Sequence, residues 1–149
     1  MDSMVPFSFL LVDGNNIIHA WPELHDLHRR QKGLAHTELQ RQLLEYQDQS
    51  GKRVVLVFDG RGPGITDERE PNGLQVIYTD GSSSADDVIE RLAAKYAEKY
   101  DLTVATDDLL VQNGVISSGG FAISSNQLSD WLDRAAGEMQ RFIERRRKR

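Results

Sequence analysis

The sequence contains no cysteine and no apolar run long enough to span a membrane. The absence of cysteine excludes disulfide bonds, zinc–thiolate sites and thiol nucleophiles. Residues 1–6 also lack the basic segment and apolar core of a secretory signal, so we expect a cytoplasmic protein that is not held in a membrane. The 149 residues are 39% hydrophobic and 28% charged. This composition is typical of a globular chain, and we expect one domain over 1–149.

Basic residues are outnumbered everywhere except at the end of the chain. The net charge of −5 comes from 18 Lys and Arg against 23 Asp and Glu. Residues 141–149 hold six bases and one acid, which leaves 12 bases, 22 acids and a net charge of −10 in 1–140. A basic helix end of this kind attracts phosphate backbones, but its cations also favour the helix dipole, and both interpretations stay open. The phosphate contacts expected there are Arg145, Arg146 and Arg147.

Four apolar stretches each end in an aspartate. Continuous apolar runs of this length are typical of strands covered on both faces. The helix expected between the first two stretches predicts a right-handed β-α-β unit, which makes their strands parallel. Ligands bind at the carboxyl edge of such sheets, where the four acids would lie. The stretches and acids are Leu10–Val12 with Asp13, Val54–Phe58 with Asp59, Leu74–Thr79 with Asp80, and Leu102–Thr106 with Asp107.

The first half of the chain also contains helix and loop signals. A short helix over Asn15–His19 is expected to be interrupted by Pro22. The polar segment 23–32 is predicted as a loop or a weak helix, and an amphipathic helix is predicted from Thr37 to Gly51. Residues 60–73 are predicted as a surface loop over the carboxyl edge. Candidate phosphate contacts in these segments are Arg29, Arg30, Lys32 and Arg61, although a charge run of this kind is more often a solvated face.

In the second half, Ser84 and Asp87 have the spacing of a capping box, and a helix is predicted to run on through Tyr96. A short helix after residues 106–108 is expected to end near Asn113 and Gly114. A short strand over Phe121–Ile123 and a last helix after Ser124 or Ser125 complete the prediction.

Carboxylates from different elements are expected to gather at the carboxyl edge. Asp86 and Glu90 lie four residues apart and share a helix face, and Asp13 and Asp107 follow strands. Carboxylates this close raise one another's pKa unless a cation joins them, and hard oxygen ligands without cysteine favour Mg²⁺ or Mn²⁺. Each acid also has a purely structural explanation, as a helix cap, a first-turn charge or a turn residue.

Five segments together resemble a known family: Val12–Ile18, Ala20–Leu24, Val57–Asp59, Ser84–Glu90 and Ala105–Asp107. Their order and spacing resemble the NYN domain of the YacP-like branch of PIN-like nucleases, from Phe9 to about Leu132. One position departs from the pattern, because the branch commonly has an aromatic residue where Asn15 stands. A stacking or packing contact is therefore missing there, and Asn15 competes with Asn16 for a role in the site.

The resemblance implies a three-layer α/β/α PIN-like fold with a mainly parallel central sheet, and metal-dependent endoribonuclease activity. It matches Asp13, Asp86 and Asp107 to the acidic metal-binding set and Asn16 to the amide beside it. Asp87 and Asp59 match less strictly acidic positions. Carboxylate-held Mg²⁺ or Mn²⁺ would activate water for attack on the phosphodiester, with RNA, including ribosome-associated RNA, as the expected partner.

Two other classes of function are open to the same sequence. A PIN-like module that binds RNA or the ribosome without cutting would use the basic surface and leave the acids incidental. A phosphatase with an aspartyl nucleophile needs a second acid two residues after the first, and Asn15 stands there instead. Histidine is a common general acid or base, but none of the four histidines stands at a strand end, so none is assigned to catalysis.

Overall fold

The computed structural model describes residues 7–60, 66–69, 73–79 and 82–147, without the side chains of Lys32 and 66–69. Predicted site residue Arg61 and strand-end residue Asp80 therefore lie outside the described residues. None of the helices in the described ranges combines the length and apolar character needed to cross a bilayer. The elements in chain order are β1 Ser8–Asp13, α1 Gly14–Ala20, α2 Pro22–Arg30, α3 Lys32–Ser50, β2 Arg53–Asp59, β3 Thr66–Arg69, β4 Gln75–Thr79, α4 Ala85–Tyr96, β5 Asp101–Ala105, α5 Leu109–Ser117, β6 Phe121–Ile123 and α6 Ser125–Arg147.

The described strands form one sheet in the order β3-β4-β2-β1-β5-β6. Five of them are parallel, and β3 is antiparallel to its neighbour β4 at the edge. Leu11 of central β1 is in register with Val55 of β2 and Val104 of β5. The carboxyl ends of β1, β2 and β5 therefore meet at one edge, and the predicted, mainly parallel sheet is confirmed.

Helices cover both faces of the sheet, as the alternation of side chains along each strand requires. Leu10 and Val12 face a cluster that includes Leu39 and Leu43 of α3 and Leu128 of α6. Leu11 faces the other cluster, with residues of α4 and α5. Each fully buried leucine contributes about 2 kcal/mol. The predicted three-layer α/β/α arrangement is confirmed.

The structure corrects several predicted boundaries. Of the two structures predicted for segment 23–32, a loop or a weak helix, the structure shows the helix, because Leu24 and Leu27 of α2 pack on the core. Pro22 begins this helix, where its missing N–H costs no hydrogen bond, instead of only ending the one before. Helix α3 begins at Lys32, five residues before Thr37.

Two further boundaries differ from the prediction. The predicted loop 60–73 contains strand β3, whose backbone pairs with β4. Helix α5 continues past Asn113 and Gly114 to Ser117, and Gly119, with a φ of 98°, follows its end. A left-handed glycine just beyond a helix is the usual terminator, so the helix ends about three residues later than predicted. The last helix begins at Ser125, as expected.

Candidate active site at the carboxyl edge of the sheet

Asp13 ends the central strand, and the backbone turns there into α1. The turn lies close to β2: a Cβ on Gly14 would lie within 2.5 Å of two Phe58 ring carbons and 3.0 Å from the Val57 carbonyl oxygen. Only glycine fits without moving that ring. The close approach holds Asp13 between the ends of β2 and β5, where Asp59 and Asp107 stand.

Two asparagines connect the end of β1 to its neighbours. The side-chain oxygen of Asn15 accepts a hydrogen bond from the Asp59 backbone N–H at 2.8 Å. The side-chain oxygen of Asn16 accepts one from the Asp107 N–H at 2.9 Å. Each amide therefore braces one flanking strand end, so both asparagines position the site. No described residue accepts a hydrogen bond from the Asn16 side-chain nitrogen.

Asp13 is a carboxyl group in a buried setting. It is 5% exposed, and its Oδ2 accepts a hydrogen bond from the Thr106 hydroxyl at 3.0 Å. Burial raises the pKa of Asp13 from 3.8 to about 6, the Thr106 bond lowers it, and the charges of Asp86 and Asp59 raise it further. An acid whose pKa is moved toward neutrality in a cleft between strand ends is a functional-site candidate.

Asp86 lies in the first turn of α4, beside a complete capping box. Ser84 accepts from the Asp87 N–H at 3.1 Å, and the Asp87 carboxylate accepts from the Ser84 N–H at 3.4 Å. Asp86 itself accepts no hydrogen bond from a described residue. Its pKa is raised by partial burial first, then by the charges of Asp108 and Asp59. Both Asp86 oxygens are thus open to a cation, whereas Asp87 is occupied as a cap.

Asp59 and Asp107 also carry structural hydrogen bonds. Asp59 Oδ1 accepts from the Ala85 N–H at 2.7 Å and so fixes the start of α4. The two oxygens of Asp107 accept from the Ser125 N–H at 2.8 Å and from its hydroxyl at 2.7 Å, which fixes the start of α6. A carboxylate has about four lone-pair sites, so each can also bind a cation.

Asp108 and Thr106 belong to the site but were not predicted. Asp108, not Asp107, caps α5, with its Oδ1 accepting from the Leu110 N–H at 2.9 Å. Buried Thr106 donates to Asp13, and its hydroxyl accepts from the Asp108 N–H at 3.1 Å. The only sequence signal was that both residues adjoin Asp107.

The donor set suits a hard cation, but it is not a closed cage. Among the described residues, no three Asp, Glu or His side chains come together as a metal-binding group. Mg²⁺ is usually held by one or two carboxylates, several waters and substrate phosphate oxygens. The arrangement therefore fits a cation held by Asp13 and Asp86 and completed by water and by oxygens of a bound ligand.

The predicted RNA contacts lie in two places. Arg29 and Arg30 are exposed at the end of α2, where Arg30 pairs with Asp26. His36, early in α3, stacks on Phe58 of β2 with ring centroids 4.1 Å apart, so the α2–α3 junction lies toward the carboxyl edge. By contrast, α6 starts at Asp107 and rises 1.5 Å per residue, which puts Arg145 roughly 30 Å from its start. The structure does not bring Arg145, Arg146 and Arg147 to the acidic site.

Comparison with known proteins identifies the family of this chain. The model of the YacP-like NYN domain matches residues 10–149. The chain belongs to the YacP-like NYN family. It is 34% identical over 139 residues to the protein YacP of Bacillus subtilis (strain 168), covering 92% of this chain and 79% of YacP.

Solved structures of Bacillus subtilis Rae1 (YacP) show the same fold. The W164L mutant has a TM-score of 0.77 and 29% identity, over 95% of this chain and 84% of that one. A second Rae1 (YacP) structure has a TM-score of 0.76 and 31% identity, over 93% and 81% of the two chains. The family assignment agrees with the resemblance seen in the sequence, and the YacP-like NYN family is nuclease-like.

Proposed function

We propose that this YacP-like NYN protein is a metal-dependent endoribonuclease that cleaves RNA phosphodiester bonds at the carboxyl edge of the sheet. The observation that carries the proposal is the buried carboxyl group of Asp13 beside Asp86 and Asp59. A pKa raised from 3.8 to about 6 means that ionising Asp13 in the fold costs about 3 kcal/mol near neutrality. Ionised Asp13 destabilises the fold by that amount, so stability alone does not explain this residue. A cation site does explain it, because a bound cation needs the carboxylate.

The residues divide into ligands and supports. Asp13 and Asp86 would hold the cation directly, and Asp107, anchored by Ser125, would complete the acidic set. Asp59 and Asp87, which already cap α4, would act through water. A bound Mg²⁺ or Mn²⁺ would supply a water of lowered pKa and offset charge on the phosphate.

The uncharged neighbours would set the geometry. Thr106 orients Asp13 by donating a hydrogen bond to its Oδ2. The side-chain oxygen of Asn16 fixes Asp107 by accepting a hydrogen bond from the Asp107 backbone N–H. The side-chain nitrogen of Asn16 then remains as a donor for a phosphate oxygen. Arg29 and Arg30 at the α2–α3 junction would contact the RNA backbone near this edge, and Lys32 and Arg61 are proposed as further contacts.

One observation favours a second candidate. Asp59, Asp87 and Asp107 all have structural hydrogen bonds, and no closed metal-binding group is present among the described residues. A protein that binds RNA, free or in the ribosome, without cutting it would have the same contacts.

Cleavage of mixed RNA with Mg²⁺, with Mn²⁺ and with excess chelator tests the proposal. We expect cleavage only with metal, and a loss of more than about a hundredfold in rate for Asp86→Asn. Asp133→Asn, which removes one exposed charge from α6, is the matched control and should cleave like the parent. RNA binding without cleavage by the parent would favour the second candidate, and cleavage in chelator would exclude the metal.

A further inference from the structure

A groove lies between α3 and α6 at the end of the molecule opposite the acidic edge. Its volume is about 480 Å³. Ser50 ends α3 and Lys52 precedes β2, so the groove lies at the amino edge of the sheet. We call it the α3–α6 groove, and the residues that matter below are Tyr46, Lys52, Trp131, Arg134, Glu138 and Phe142.

Aromatic rings and cations are paired in and beside this groove. Trp131 packs partly against the core, and Lys52 Nζ lies 5.4 Å from its ring centroid. About three turns further on α6, Phe142 is 48% exposed with the Arg146 guanidinium 5.3 Å from its ring centroid. Rings on a solvent-facing groove that already lie beside cations offer both a stacking surface and a phosphate contact.

The charge around the groove is opposite to that at the acidic edge. Lys52 and Arg134 line it, and Glu138 is its only acidic lining residue among those described. Helix α6 then continues with Arg141, Arg145, Arg146 and Arg147 against Glu144. This surplus suits a polyanion. An apolar peptide could pack on the aromatic rings but would not pair with these cations. Charge complementarity therefore favours nucleic acid over a protein segment.

We propose that the α3–α6 groove binds a single-stranded segment of RNA, with a base stacked on Trp131 and phosphates on Lys52 and Arg134. The proposal rests on the proposed function only in taking RNA as the ligand. Helix α6 links the two sites, because Ser125 at its start contacts Asp107 and the groove residues on it follow roughly 9 to 26 Å further on. A stacked strand rises about 3.4 Å per nucleotide, so roughly three to eight nucleotides separate the groove from the acidic edge.

Fluorescence anisotropy of a labelled unstructured oligoribonucleotide of roughly 12 nucleotides, within the range of single-strand site sizes, tests the groove. Excess chelator prevents metal-dependent cleavage. Trp131→Leu should weaken binding about five- to a hundredfold, while Trp131→Phe, which keeps a ring for stacking and packing, should lose much less. Lys52→Gln with Arg134→Gln should reduce the slope of log affinity against log salt by about 1.4.

The control variant carries Arg91→Gln and Lys95→Gln, the same charge change on exposed positions of α4 across the sheet. Equal losses in the groove and control variants would show non-specific attraction and overturn the proposal. Parental affinity in the groove variants would also overturn it and leave the groove to a protein partner. Binding is measured apart from cleavage, so a protein that binds RNA through the groove but never cuts contradicts the proposed function alone.

Discussion

Replacing Asp13 with asparagine should stabilise the metal-free protein at neutral pH. Folding raises the pKa of this buried carboxyl group from 3.8 to about 6, so between these values the folded state binds more protons than the unfolded state. The free energy of unfolding therefore falls as pH rises through this window, and the loss is complete above the folded pKa. A shift of about two units corresponds to about 3 kcal/mol at pH 7.

Asparagine removes the charge but keeps an oxygen that can accept the Thr106 hydrogen bond. We expect Asp13→Asn to match the parent near pH 4 and to exceed it by up to about 3 kcal/mol above pH 7. For a chain of this length, that difference is a rise in melting temperature of roughly 6 to 12 °C. The gain appears only without metal, because a bound cation offsets the same charge in the parent.

Denaturant unfolding in chelator, at constant ionic strength and between about pH 4.5 and 8, measures the effect. Asp133→Asn makes the same charge change on an exposed face of α6, and its stability should follow the parent at every pH. If the Asp13→Asn curve also runs parallel to the parent curve, burial does not raise this pKa and the central observation of the proposed function is lost.

Three further changes have definite expected results. Gly14→Ala should cost about 1 to 3 kcal/mol in denaturant unfolding, because the new Cβ would overlap the Phe58 ring; parental stability would show that this ring moves freely. Mg²⁺ or Mn²⁺ should raise the melting temperature of the parent but not that of Asp13→Asn or Asp86→Asn, because the cation stabilises the folded parent by about 2.7 kcal/mol at a hundred times its dissociation constant. No shift with millimolar Mn²⁺ in RNA-free buffer would contradict a preformed metal site. Deleting 145–149 should flatten the salt dependence of RNA binding, and equal slopes would assign this segment to solubility.

The buried strands could be predicted from the sequence because each is an apolar run that ends in an acid. Helix α2 could not be distinguished from a loop, since it is mostly polar and only Leu24 and Leu27 reach the core. Strand β3, Thr-Asp-Glu-Arg, has no apolar residue at all. It exists through its backbone pairing with β4, the next strand in the chain, and backbone pairing requires no apolar pattern in the paired segment.

The acids of the site could be placed at one edge for the same reason, but their partners could not. The Asp107–Ser125 and Asn15–Asp59 hydrogen bonds join residues 18 and 44 positions apart. Asp108 could not be selected over its neighbours, because its effect on Asp86 depends on how α5 packs beside α4. The clustering of His19 with His25 and His28, at 5.7 and 5.2 Å between ring centroids, likewise depends on helix α2, which the sequence does not distinguish from a loop.

The structural and functional explanations of the acids are compatible, because a carboxylate that caps a helix is also held in a fixed orientation toward a cation. Asp59 and Asp107 each use oxygens to hold the start of a helix, which fixes the carboxylates that face Asp13 and Asp86. The same negative charge repels RNA until a cation neutralises it. In chelator, RNA affinity must then come from positive surface elsewhere, chiefly the α3–α6 groove and the end of α6. Adding metal should therefore change mainly the rate of cleavage at the acidic edge. Removing the positive charges of the basic end should change mainly the affinity for RNA.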